Sequence, residues 1–558
     1  MKVVADSSLL EALGPSISEI LSVSGAAGAS VGVLDGRTHQ THFAGFGFRH
    51  VAAGLVPDQH TVYHLASLSK SFTASAIALL VADGKLSFDD RMCDLVPGFH
   101  HPDEAVNSHS TLLDFLSHRT GLARKNALWQ QNGHELLLGE NDTLPMVTYL
   151  EAVHPLGKRW TYNNFGYDIL ANVISQASGS TWGEFVTSRI LQPLGLRETT
   201  TALCPPEENW AHGYMPGPDG ELTDVGRPLT AAGTVQQASG GIKSTVSDLL
   251  VYYKAVLDAW RSETETETGD SVSVAHSKQS PSPLKNIKEL LTRHIPLEPD
   301  SKNQWYGGGW AIADLPAPLG SIGPNGMFVP TMPLVGRGCC KKKGKDGEED
   351  DETGTTVWYH NGCFVGFLSS VHILPEDGTI IVVLVNSATK NDAADWVGQL
   401  LVEEMLACPE RNDYLALAKE SADAYDAMWA RLPHELDNAK RPGPPTKPLS
   451  AYAGRYYNKI GNWFIEVVHD DTKEEEEEGL QFSFQGRATQ TFRLRPFGTD
   501  SFCWPLTEAE SRARSRWPDL DVVKYVFHFG SDGQGNITTL RWVHDLAVPE
   551  GETFERAM

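Results

Sequence analysis

The 558-residue chain has no apolar run of the roughly 18 or more residues that a membrane-spanning helix needs, so no membrane span is expected. Its first residues, Met-Lys-Val-Val-Ala-Asp-Ser-Ser, hold no apolar stretch long enough for a secretory leader. Cysteine is sparse and scattered: Cys93, Cys204, Cys339, Cys340, Cys363, Cys408 and Cys503. Seven is an odd number, and the spacings suit no metal site. Structural zinc and a disulfide scaffold are therefore not expected, and a reduced, cytoplasmic protein is. Positive charge is also short. Lys and Arg total 46 against 71 Asp and Glu, a net charge of −25. Such a surplus repels phosphate backbones and anionic headgroups, which argues against nucleic acid or a membrane surface as partner. Internal repeats are absent.

What remains is ordinary globular material, with 41% hydrophobic and 21% charged residues. At about 100–200 residues per domain, the length suggests two or three units. Residues 8–23 carry a helical stripe (Leu9, Leu10, Leu13, Ile17, Ile20, Leu21), and Gly28–Leu34 and His39–His50 read as strands. A helix is expected from Ser67 to Asp83, stopped by Gly84. Three more helix starts pair a Thr with an acid three residues on: Thr111/Asp114, Thr181/Glu184 and Thr245/Asp248. Further strands are expected over Trp305–Ile312, Val357–Tyr359, Phe364–Leu374 and Thr379–Asn386. Strands near both ends of this body, with helices between, predict an α+β sandwich: an antiparallel sheet flanked by helices, plus an all-helical region. We place this domain at residues 1–410, with loop-like inserts near 262–303 and 337–353. A linker at 411–448 contains the Pro-rich run Arg441–Pro448. Short alternating runs in 449–558 predict a small antiparallel barrel, with Glu474–Glu478 at a hairpin tip.

Three short motifs could carry chemistry. In Ser67-Leu68-Ser69-Lys70 the first and last residues share a helix face. A Ser hydroxyl needs a base beside it to become a nucleophile. Lys is a base only where burial or positive charge disfavours its ammonium, and a helix N-terminus contributes to that. Ser282…Lys285 and Ser387…Lys390 share the spacing, but Ser282 lies between two prolines and Ser387 closes a strand. Tyr162-Asn163-Asn164 offers a phenol for proton transfer and an amide that both donates and accepts. His360-Asn361-Gly362 follows a strand, and its glycine admits a substrate to the backbone. The blander readings are a solvent-facing helix turn for the first, a core Tyr with an Asn N-cap for the second, and an Asn-Gly turn for the third.

Order, spacing and surroundings decide among them. The trio resembles the S-x-x-K, Y-x-N and H-x-G or K-T-G motifs of the serine β-lactamase and penicillin-binding-protein superfamily. Leu113–Leu122 is similar to that family's LLSHTSGL segment, and Gly84–Asp90, Pro193–Leu196 and Ser239–Thr245 also look like family segments. The resemblance is closest to the class C β-lactamase-like branch, with its D-aminopeptidase, esterase and acyltransferase relatives. The tail, from Tyr452-Ala453-Gly454-Arg455-Tyr456, resembles the lipocalin-like domain appended to some members.

The resemblance implies roles. Ser67 is the acylated nucleophile, Lys70 its partner base and Tyr162 a second acid/base, with Asn164 positioning. His360, Asn361 and Gly362 take the third-motif places, and the N–H groups of Ser67 and Cys363 form the oxyanion hole. It leaves open which of Lys70 and Tyr162 takes the first proton. It implies neither metal nor nucleotide cofactor. His360 stands where many β-lactamases have Lys, which speaks against β-lactams as substrates. The expected activity is cleavage of an ester, amide or thioester of a small molecule or peptide. The alternatives are acyl transfer in natural-product biosynthesis through the same acyl-enzyme, and a non-catalytic scaffold of the same fold.

Overall fold

A computed structural model describes residues 1, 3–5, 8–203, 209–268, 282–339, 354–470 and 479–557. Nine strands form one antiparallel sheet: β1 (Val3–Ala5), β2 (Gly28–Leu34), β3 (Thr41–Gly47), β4 (Ile295–Pro296), β5 (Gln304–Tyr306), β6 (Ala311–Asp314), β7 (Thr356–Phe364), β8 (Phe367–Leu374) and β9 (Thr379–Val385). Their spatial order is β1-β3-β2-β9-β8-β7-β6-β5-β4. The N-terminal strands thus meet the late strands through β2 and β9, where Gly32 pairs with Val382. Helices cover both faces. On one lie α1 (Ser8–Ser24), α5 (Ala393–Met405) and α6 (Tyr414–Ala439). On the other lie α2 (Ser69–Ala82), α3 (Asn164–Ser178) and α4 (Val246–Thr268).

The sequence of β9 explains its central place. Thr379–Val385 is a continuous apolar run, not an alternating one, because both its faces are covered. Ile380, Val382 and Leu384 join the core around α2 and α4. Ile381, Val383 and Val385 join a second core with Ile17, Trp396 and Leu401. The expected α+β body is therefore present, and the expected antiparallel barrel follows it.

The barrel closes with eight strands: β10 (Gly454–Tyr457), β11 (Phe464–Asp470), β12 (Gly479–Phe484), β13 (Thr491–Gly498), β14 (Ser501–Cys503), β15 (Val526–Ser531), β16 (Ile537–Trp542) and β17 (Glu552–Arg556). Alternation in β12 sends Leu480, Phe482 and Phe484 inward. They meet Trp463, Phe492, Trp504, Phe527 and Trp542, so aromatic rings fill the interior. The barrel sits on a segment of the body running from residue 124 to 142. Asn132 and Gln490 exchange hydrogen bonds, Arg487 pairs with Glu135, and Asn462 donates to Asp142.

Several expectations are corrected. Residues 262–268 continue helix α4, and 295–296 form the outer strand β4, so 262–303 is not one loop. Its short apolar stretches explain why: Leu284, Ile287, Leu290 and Ile295 are buried. Most of 411–448 is helix α6, whose Tyr425, Trp429 and Leu432 are buried. Trp305–Ile312 is two strands around a turn in which Gly309 has φ +82°. Cys339 and Cys408 are joined by a disulfide across a sequence separation of 69, against the expectation of reduced cysteines. Cys93, Cys363 and Cys503 are free. Cys204, Cys340, Glu474–Glu478 and most of the insert near 337–353 lie outside the described residues. Among those described, no helix is long and apolar enough to cross a membrane.

The ring-filled barrel makes a stability prediction. Phe482→Ala removes a fully buried ring at its centre and should destabilise the barrel by about 3–5 kcal/mol. Denaturant titration followed by tryptophan fluorescence measures it, and an unchanged midpoint contradicts this packing.

Candidate active site

Ser67 lies in a short 3-10 turn, Ala66–Leu68, that leads directly into α2. Ala66 holds a left-handed backbone with φ +48°, an unfavourable conformation for a residue with a Cβ. The turn aims the Ser67 side chain into a cleft and leaves its N–H without an acceptor inside the helix. Helix α2 has no solvent face; Ser69 through Leu80 are all buried. Small hydroxyl residues make this tolerable because each finds a partner. Ser69 Oγ accepts from Ile242 N at 3.0 Å, Ser71 donates to Leu68 O at 2.8 Å, and Thr73 donates to Ala238 O at 2.7 Å.

Lys70 comes one turn after Ser67 and is fully buried. Its Nζ is 3.1 Å from Ser67 Oγ, 2.8 Å from Asn164 Oδ1 and 3.0 Å from the Ser239 carbonyl. Burial pulls its pKa well below the ordinary lysine value, and the charge of Asp168 works the other way. The Tyr162 hydroxyl donates to Ser67 Oγ at 2.7 Å. Burial keeps that phenol protonated by raising its pKa. Asn163, not Asn164, caps α3: its side chain accepts from Gly166 N at 2.8 Å. Asn164 is thereby free to face Lys70, and its Nδ2 reaches Asn126 Oδ1 at 3.3 Å.

The third motif sits inside β7 and is not an Asn-Gly turn; Asn361 pairs with Ser370 and Gly362 with Ser369 of β8. Gly362 packs directly against the nucleophile turn. A Cβ there would lie 2.3 Å from Leu65 O, 2.2 Å from Ser369 Oγ and 3.2 Å from Ser67 N. Asn361 and Cys363 line the cleft. The Cys363 thiol is pushed above its usual pKa by burial and by Asp392. His360 takes its third-motif place on β7 but is not among the residues that line the cleft. It is buried, with Nε2 2.9 Å from the Tyr306 hydroxyl and Nδ1 2.7 Å from the Asn361 carbonyl. Burial, and then Lys70, lower its pKa to about 3, so it is a neutral ring behind Tyr162. Tyr306 on β5 draws it inward, which no local pattern around His360 shows.

The structure thus brings Ser67, Lys70, Tyr162 and Asn164 into one hydrogen-bonded group, with Asn361, Gly362 and Cys363 beside it. The other Ser-x-x-Lys matches are elsewhere: Ser282 bonds the Ala255 carbonyl, and Lys390 pairs with Asp426. Two contributors escape the motif reading. Asp168, one turn beyond Asn164 on the same face of α3, accepts from Gln236 N and the Thr143 hydroxyl, and burial raises its pKa to about 6. That i, i+4 spacing was the available signal. Ser239 contributes only a backbone carbonyl, which side-chain identity does not reveal.

Ser67 opens into a cleft of about 630 Å³. Trp129, Trp160 and Phe364 supply aromatic wall from the body, and Trp517 and Trp542 from the barrel. A family model described as Beta-lactamase matches residues 17–404. The chain belongs to this family. A second model, a domain of unknown function (DUF3471), matches residues 438–556. Among curated relatives, a penicillin-binding protein of Bacillus subtilis is 27% identical over 285 residues, 49% of this chain and 56% of that protein. The unguisins hydrolase of Aspergillus violaceofuscus is 23% identical over 478 residues, 79% of this chain and 74% of that one. Among solved structures, the octameric penicillin-binding protein homologue from Pyrococcus abyssi is similar in fold at a TM-score of 0.53 and 21% identity. That likeness covers 98% of this chain and 99% of the other, barrel included.

Gly362 lets β7 and the Ser67 turn touch. Gly362→Ala should therefore lower stability by about 1–3 kcal/mol through overpacking, read as a fall in thermal midpoint. A variant as stable as the parent would show that the contact is looser than 2.3 Å.

Proposed function

We propose that the protein is a serine hydrolase that forms an acyl-enzyme on Ser67 and cleaves an ester, amide or thioester of a small molecule or peptide. The observation that carries this reading is the three-way contact of Lys70 Nζ, Ser67 Oγ and Tyr162 OH. Membership of the Beta-lactamase family supports it.

The partners of Lys70 suggest the direction of proton flow. Of its three neighbours, Asn164 Oδ1 and the Ser239 carbonyl can only accept, whereas the Ser67 hydroxyl can also donate. A neutral amine has two hydrogens and one lone pair. It satisfies all three by donating to the two carbonyl oxygens and accepting from Ser67. Burial favours that neutral form. In this reading Lys70 takes the Ser67 proton, and that proton reaches the leaving group by way of the Tyr162 phenol, which gives up its own and receives the one from Lys70, so both groups end neutral. The charge on the oxygen of the tetrahedral intermediate meets the N–H groups of Ser67 and Cys363, and losing one such donor typically costs ~100–1,000-fold in rate. We place the chain in the class C β-lactamase-like branch and liken its barrel to lipocalin-like domains. A neutral, inward-turned His360 supplies no fixed cation in the third motif, so a grip on a substrate carboxylate would have to come from elsewhere in the cleft.

The test uses an uncharged serine-directed fluorophosphonate and intact mass measurement. One adduct is expected on the parent and none on Ser67→Ala; an unlabelled parent defeats the proposal. Lys70→Met should slow labelling roughly 100–10,000-fold, the range for loss of a general base. The rate should also fall as pH drops through the depressed Lys70 pKa, because protonation removes the base. Labelling that keeps its full rate far into acid would assign the base elsewhere. Adding alcohols or amines and comparing ester or amide products with free acid separates transfer from hydrolysis.

A further inference from the structure

The charge of the cleft runs against that of the chain. The sequence carries −25, yet the described side chains lining the cleft include three cations, Arg124, Arg516 and Lys524, and one carboxylate, Asp519. Asp519 is already committed: it pairs with Arg516 at 2.7 Å and with Lys524 at 2.9 Å. Arg516 is further bound to Gln131. His544 contributes no charge, since burial lowers its pKa to about 3.

Arg124 differs from the other two cations. Its side chain is exposed to the cleft that holds Ser67, and no described carboxylate pairs with it. Its backbone is fixed from the barrel, because Asp545 accepts the N–H groups of both Arg124 and Lys125 at 2.8 Å. Lys125 is fixed in turn. It has a left-handed backbone with φ +42°, and its buried ammonium lies between Glu151 and Glu552, each at 2.9 Å. The next residue, Asn126, meets Asn164 of the Lys70 group. The guanidinium therefore springs from a turn held on both sides and lines the same cleft as Ser67, and its charge acts on the Tyr162 hydroxyl.

From this arrangement we infer that Arg124 is the anchor of an anion subsite. It would bind a carboxylate carried by the acyl substrate away from its scissile carbonyl. A guanidinium matches a carboxylate with two parallel hydrogen bonds, and a planar fork held at its base loses little freedom in doing so. Arg516 and Lys524 share the single carboxylate Asp519, so the described charges of the lining leave a net positive balance beside Arg124. This places the substrate-gripping cation on the 124–126 turn and not on β7, where His360 is neutral. The inference rests on the reading of Ser67 as the acylated residue.

The test compares monoesters of 4-nitrophenol with C6, C8 and C10 dicarboxylic acids against their neutral carboxamide counterparts. At one or more lengths the parent should favour the acid in kcat/KM by roughly tenfold to a hundredfold, the range for a hydrogen bond to a charged group. The preference should shrink as salt is raised. Arg124→Met should bring the acid-to-amide ratio close to one, and Arg124→Lys should restore part of it. Equal rates for acid and amide at every length overturn the inference, as does a parent preference that Arg124→Met leaves intact. The uncharged fluorophosphonate separates the two levels. Labelling of Ser67 without an acid preference overturns the anion subsite alone. Absence of both labelling and ester turnover overturns the acyl-enzyme reading and the subsite with it.

Discussion

The site depends on taking one amine out of water. Lys70 sits where no solvent reaches it, on a helix packed on every side, and its hydrogen-bonding needs are met by two carbonyl oxygens and a serine. Burying an ammonium is costly without compensation, so the surroundings favour its neutral form. Much of the nearby architecture serves that state. The hydroxyl residues of α2 each find a partner and Asn163 takes over the capping of α3, while the charge of Asp168 opposes the neutral form.

Backbone strain gathers at the same place. Ala66 precedes the serine, His118 packs against Tyr162, Lys125 ends the turn that carries Arg124, and Gln236 precedes the segment that offers the Ser239 carbonyl. All four have positive φ without being glycine. Residues in that region persist only where their neighbours hold them.

Much of this was legible in the sequence. Capping pairs at Thr111/Asp114 and Thr181/Glu184 form as the spacing suggested, because the signal is local and the hydrogen bonds close within one turn. The Ser67–Lys70 spacing put both side chains on one face of a helix, and α2 brings them to 3.1 Å. Other features depend on partners far away in the chain. The inward turn of His360 is set by Tyr306, and the place of Arg124 by Asp545. Strand β14 is three residues long, and in β17 one of the buried positions is the charged Glu552, so neither stood out as a periodic run. Helix α6 was hidden by its polar composition, because only a narrow stripe of it is buried.

The segment from 124 to 142 belongs by sequence to the body, yet its hydrogen bonds are shared between the body and the barrel. Asn126 faces Asn164, while Asn132 and Glu135 face Gln490 and Arg487. A chimaera that exchanged the barrel alone for that of a relative would strip this segment of half its support and release the turn next to the nucleophile. The transplantable module is the barrel together with its seat, so substitutions on either side of that boundary are expected to be inherited as matched pairs.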